Sequence, residues 1–204
     1  MYIPWTGVVQ EHRNVGIGSE MNREISRYMS NAYGVTHTLI DIEDPDRLHN
    51  SAYEPEELDE AIGFAHRRIN FWRREGFDVV DDGNAASGEK LEYMRPASDD
   101  EQKIQAYDHM AVRIEDDALA ARVYNEEGTA IDKGFVRDCY LEMTQIQYGY
   151  ESEEKLREEY PAVDQYLENL DNTPGQWLAI RTEAIRPKST PDITQEHDDS
   201  ADLG

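Results

Sequence analysis

The sequence predicts an α+β fold, a mixed or antiparallel sheet packed by about three to four helices. Three observations lead there. Apolar residues recur at helical spacing in several long segments, most clearly over 55–75. Between them lie short runs of β-branched and aromatic residues. Gly-, Pro- and Asn-containing turns separate the two kinds. The 204 residues suit an extended arm over 1–17, one domain over 18–187 and a flexible acidic tail over 188–204.

Pro4, Gly7 and Gly16 break any regular pattern in the arm. Its side chains Tyr2, Ile3 and Trp5 are poor solvent-facing residues, so the arm is expected to dock on its own domain or on a neighbouring subunit. A helix follows over 20–33, with Ser19 as N-cap, Gly34 just past the end, and Met21, Ile25, Tyr28 and Ala32 as the apolar stripe. Val35 to Ile42 reads as a strand, ended by Asp44-Pro45-Asp46.

The helix over 55–75 is the best determined. Pro55 suits its first turn, Glu56, Glu57 and Asp59 oppose the dipole there, and Gly76 stops it. Leu58, Ile62, Ala65, Ile69 and Trp72 form its stripe, widened by Phe64 and Phe71. Phe77 to Val80 reads as a short strand before a polar loop over 81–90. Leu91 to Met94 is a second short strand, and Ser98 with Glu101 is a capping box opening a helix. His109 to Glu115 alternates like a strand, although a continued helix fits the same residues. Leu119 to Ile131 suits a hairpin with Asn125–Gly128 as its turn.

Val136 to Tyr150 is rich in Val, Tyr, Thr and Ile and reads as a long strand. Its apolar positions change from odd (Cys139, Leu141, Met143) to even (Ile146, Tyr148, Tyr150), which suggests a bulge or an edge changing partner. A helix over 152–170 starts at Ser152, carries Leu156, Tyr160, Val163, Leu167 and Leu170 on one face, and must kink or restart at Pro161. Gln176 to Arg186 is the final strand.

The net charge is −24, from 44 acidic and 20 basic residues. Of the basic residues 15 are Arg and only 5 are Lys. Arg pairs bidentately with carboxylates, whereas Lys carries a strongly hydrated ammonium. A carboxylate-covered surface with little Lys points to concentrated salt, where ~1 M ions shrink the Debye length to ~3 Å and remove the self-repulsion. An acidic protein of ordinary cytosol, such as a DNA mimic, is the other reading. The charge makes nucleic acid an unlikely partner. A lone Cys139 in an apolar run is expected to be a buried small hydrophobe. No stretch approaches ~18 apolar residues and no leader pattern opens the chain, so synthesis and folding in the cytoplasm are expected.

No motif for chemistry stands out, and no catalytic, cofactor or metal residue is expected. Gly16-Ile17-Gly18 lacks the third glycine and the lysine of a phosphate cradle. The six histidines share no metal-ligand spacing, and Asp108-His109 is a lone neighbouring pair. Asp81-Asp82, Asp99-Asp100, Asp116-Asp117 and Asp198-Asp199 are expected by chance in so acidic a chain. Ser87 lacks the nucleophile-elbow pattern. Arg67, Arg68, Arg73 and Arg74 with Phe71 and Trp72 form a basic cluster. Arginines at a helix C-terminus complement its dipole, and in this chain they are expected to pair with carboxylates. A small regulatory or nucleic-acid-binding domain built on them is the alternative.

The strand–helix–strand order read over 136–150, 152–170 and 176–186, preceded by a helix and strand over 20–42, resembles the small α+β proteins that form rings at the neck and tail of tailed viruses, such as tail terminators and head–tail connectors. The resemblance covers about half the chain and rests on element order, with no motif. It implies a non-enzymatic subunit of a haloarchaeal virion that assembles with itself and other virion proteins through arms and sheet edges. The interface candidates are Tyr2, Ile3 and Trp5 on the arm, Arg67, Arg68, Arg73 and Arg74 on the helix, and Tyr148 and Tyr150 at the edge.

Overall fold

The chain is described by a computed structural model covering residues 1–3, 8–13, 15–45, 48, 54–84 and 108–180. The arm residue Trp5, the short strand at 91–94, the capping box at Ser98, the end of the last strand and the acidic tail lie outside the described residues.

The fold is α+β, as its sequence predicts. Among the described residues five strands form one antiparallel sheet: β1 (His37–Glu43), β2 (Asp78–Asn84), β3 (Asp108–Ile114), β4 (Ala130–Asp132) and β5 (Trp177–Ile180), in the order β1-β3-β2-β5-β4. The register pairs Leu39 with Val112 and Ile42 with His109. Val79 pairs with Ala111, and Ile131 with Leu178. The β2–β5 ladder shifts register between Val80 and Asn84.

Both sheet faces are covered. Side-chain alternation sends Leu39, Met110, Val112, Leu178 and Ile180 to one face and Ile40, Ile42, Val79 and Ala111 to the other. The second face packs on α2 (Pro55–Arg74) through Ile69 and Trp72. The first receives α4 (Lys133–Tyr148), α5 (Glu153–Glu159) and α6 (Pro161–Asn172), whose Val136, Tyr140, Met143, Leu156, Val163 and Leu167 are all buried. Each such side chain contributes ~1.5–3 kcal/mol on burial. Cys139 is in this core as expected, and burial, ahead of the nearby Glu142 and Asp138, pushes its thiol pKa up.

Six α-helices occur among the described residues, more than expected, for three local reasons. First, the segment expected as a strand over 136–150 is the helix α4. Its buried residues Val136, Cys139, Tyr140, Met143 and Thr144 recur at helical spacing. The Asp132 side chain accepts a hydrogen bond from the Phe135 amide at 2.8 Å to open it, and Gly149, at φ 73°, closes it. Period has overridden propensity. Second, the first arm of the expected hairpin is the short helix α3 (Asp117–Val123), capped by Asp116. The expected turn does form, and Tyr124 bridges to Ile131 across it. Third, Pro161 divides the expected long helix into α5, capped by Ser152, and α6. Arg157 ties the break together, reaching Glu153 at 2.8 Å and Asp164 at 2.7 Å. Arg137 of α4 shares Glu153 at 2.7 Å.

Among the described strands the sheet edges are β1 and β4. The arm covers the first: the Leu39 amide donates to the Met1 carbonyl at 2.7 Å and the Ile3 amide to the Leu39 carbonyl at 3.0 Å. Tyr2 packs on one core and Ile3 on the other, and the Tyr2 hydroxyl donates to Asp41 at 2.9 Å. The arm's first residues therefore dock on their own domain.

Candidate functional site

α1 (Ile17–Tyr33) begins at Gly16, whose φ of 85° is open to glycine at little cost, so it starts earlier than a cap at Ser19 predicts. The freed Ser19 hydroxyl donates to Glu75 at 2.5 Å. The expected stripe does not face the core. Tyr28 is 61% exposed and Ile25 37%, and Ile17 and Ala32 are exposed beside them. The buried face carries Asn22 at 2% and Ser26 at 6%. At 100° per residue, Asn22 and Tyr28 lie about 120° apart around the helix.

A polar seam holds this orientation. Arg113 of β3 donates to the Ser26 hydroxyl, to the Glu75 carbonyl at 3.0 Å and to Glu115 at 2.7 Å. Its guanidinium stacks over Phe77, 4.7 Å from the ring centre. Ser19 and Ser26 thus anchor α1 at the end of α2 and on β3. Neither amide atom of Asn22 has a hydrogen-bond partner among the described residues. That costs ~1–3 kcal/mol. Beside the seam an open groove of about 380 Å³ is lined by Arg23, Arg27, Arg113, Glu115, Ser30 and Asn31. Its three arginines each hold a carboxylate: Arg23 with Glu20 at 3.1 Å, Arg27 with Glu24 at 2.5 Å, and Arg113 with Glu115.

Two histidine–carboxylate pairs occur among the described residues. His109 and Asp44 meet at 3.0 Å between the sheet and α2, with side chains 1% and 3% exposed. His37 lies 3.4 Å from Glu142 and edge-on to Phe135. Burial, then the positive chain terminus, lowers the His37 pKa, and Glu142 only partly opposes them. Below about pH 6.5 the unfolded chain therefore takes up a proton at this position that the folded chain resists. Stability contributed here is full above that pH and falls as the solution is acidified. Urea midpoints from pH 8 to pH 5.5 at fixed high salt should drop more steeply in the wild type than in His37→Phe. Parallel profiles would exclude the effect.

The other predicted interface residues fall differently. Arg68 pairs with Glu43 at 3.1 Å, and Arg67 and Arg68 both lie over Phe64, in line with arginines that serve the fold. Arg73 is half-buried and Arg74 exposed. Tyr148 and Tyr150 are not on a sheet edge, because their segment is the end of α4. Both rings pack against Tyr160 with centroids 5.3 Å apart, Tyr148 tilted and Tyr150 edge-on, and the Tyr150 hydroxyl donates to Glu159. β-Augmentation near 140–150 is thereby ruled out, since there is no strand. Among the described residues no group of three or more His, Cys, Asp or Glu side chains is arranged to hold a metal, and no helix is long and apolar enough to cross a membrane. Arg113 and the serine seam had no signal in the sequence beyond small polar residues at spacings of three, four and seven (Ser19, Asn22, Ser26). Compared with known proteins, the chain matches no family model, no curated protein and no solved structure.

Proposed function

We propose that the chain is a non-enzymatic assembly subunit of a high-salt system, and that it docks through the outer face of α1. The observation that supports this is the orientation of that helix. Turned by about 120°, α1 would bury its apolar stripe and return the Asn22 amide to water. Instead Ser19–Glu75 and Ser26–Arg113 hold the stripe outward. A helix fixed with its apolar side in solvent is the mark of an interaction surface.

The assembly surface moves accordingly from sheet edges to a helix face, since the arm occupies one described edge and Tyr124 flanks the other. A neck or tail ring of a haloarchaeal tailed virus is the narrower form of this reading. It keeps the support of the halophilic composition. It loses that of the element order, because α4 stands where the first strand of the strand–helix–strand order was expected.

Light scattering after size exclusion in about 2 M KCl, where exposed charges are screened, tests the reading. The wild type should elute as an oligomer, and the double change Ile25→Asp with Tyr28→Asp should elute as a monomer with an unchanged circular-dichroism spectrum. A wild type that stays monomeric at every concentration would sink the assembly reading.

A further inference from the structure

Resting on that reading, the geometry of α1 points to a second copy of this chain as the occupant of its outer face. We infer that two α1 helices pack antiparallel about a two-fold axis near Arg23 and Glu24.

The stripe Ile17, Met21, Ile25, Tyr28, Ala32 runs almost the whole length of the helix, in steps of four, four, three and four. Glu20, Glu24 and Arg27 lie along one flank of that stripe, while Arg23 lies about 160° from the stripe's centre, on the groove side beside Arg113. Reversed end to end about a point between Arg23 and Glu24, the flank becomes its own complement: Glu20 faces Arg27 of the second copy. A two-fold axis perpendicular to the helices brings the same flank of both copies together, so both Glu20–Arg27 contacts are attractive at once. Sliding one helix by about a turn leaves these contacts unmade. The centre of the apolar stripe and the centre of the charges lie one residue apart, so packing and charge select the same register.

The helix is also electrically unusual for this molecule. Its two Glu and two Arg sum to zero, in a chain whose net charge is −24. Two copies meeting here bring no net charge together. Concentrated salt screens the rest of the repulsion and leaves apolar contact intact. A single helix pair covers less than the ~800 Å² per partner of a stable dimer. The pair is therefore expected to depend on both salt and concentration.

Glu20→Arg and Arg27→Glu test this, at the lowest KCl in which the wild type stays folded. Each variant alone opposes like charges twice across the axis, and sedimentation should show self-association weakened by roughly tenfold. An equimolar mixture restores every contact and should recover the wild-type association. A spin label at exposed Asn31 supplies a second readout that does not depend on charge. The antiparallel register places the two labels roughly 20–30 Å apart, from 1.5 Å of rise per residue. Self-association that is indifferent to both variants, or that shows no such distance, would overturn the two-fold pair. If Ile25→Asp with Tyr28→Asp still abolishes that association, the assembly reading stands with another occupant on α1, such as a segment at 181–204 or a different protein.

Discussion

Transferred from about 3 M KCl to dilute buffer, the protein is expected to lose its cooperative fold. The Debye length rises from ~3 Å at 1 M salt to ~10 Å at 0.1 M, so carboxylates on neighbouring turns begin to feel one another. The opening of α2 shows the problem locally: Glu54, Glu56, Glu57, Asp59 and Glu60 are all exposed within seven residues. Several of the described basic residues are already engaged. Arg137 and Arg157 share Glu153 and Asp171, and Arg23, Arg27 and Arg113 each hold a glutamate. Salt weakens such exposed pairs, each worth ~0–1 kcal/mol. It weakens repulsion among the remaining acids far more, because acidic residues outnumber basic ones by 24. The expected loss is comparable to a whole folding free energy, ~5–15 kcal/mol. Urea midpoints followed from 0.1 to 3 M KCl measure it. Sucrose strengthens burial without screening charge, and separates the two causes. A midpoint that stays level across the series would remove the high-salt reading and the assembly setting built on it.

α2 was legible because its local signals agree, whereas the segment of β3 fitted a strand and a continued helix alike. In α2, Pro55, the acidic first turn, the stripe ending at Trp72 and Gly76 all state the same helix, and the observed bounds differ by one residue. Pro161 likewise broke the chain where its ring demands. α4 was misread because propensity and period disagree there. Its Val, Tyr, Thr and Ile favour strands, and the odd-to-even change of its apolar positions imitated a bulge. That change is what a period of 3.6 produces when it is read two residues at a time. Thr144 also disguised the buried face. It is 1% exposed but polar, and its hydroxyl donates back to the Tyr140 carbonyl at 2.6 Å.

α1 shows a different limit. Its stripe was correctly read as a stripe, but a helical period states which residues share a face and not what that face meets. The direction is set by Arg113 and Glu75, which are distant in sequence and reach the helix only once β3 and the end of α2 are in place. The same limit hid the pairing of Asp44 with His109. Each sits in an ordinary local pattern, one closing a strand and the other opening one. Only the β1–β3 register, which sets Ile42 opposite His109, brings them together.

That buried pair carries the second large expected effect. Asp44→Ala removes the carboxylate that lies 3.0 Å from a 1%-exposed imidazole. Removing one member of a buried histidine–carboxylate pair costs ~3–5 kcal/mol, because the other is left buried without its counter-charge. His109→Ala should cost a similar amount by the reverse route, since the buried carboxylate then loses the imidazole beside it. The two changes together should cost much less than their sum, with a coupling of ~0.5–3 kcal/mol in a double-mutant cycle. Asp44→Asn keeps an acceptor at the same distance and should fall between wild type and Asp44→Ala. Replacing both residues by apolar side chains of similar volume, Asp44→Leu with His109→Met, should recover most of the stability, since the pair's own desolvation is then avoided. Urea midpoints at fixed high salt give all five values. Additive single costs below about 1 kcal/mol would mean that the two side chains are solvated and do not meet. If instead the double apolar variant is stable and still self-associates, the pair belongs to the fold alone, and assembly depends on the face of α1.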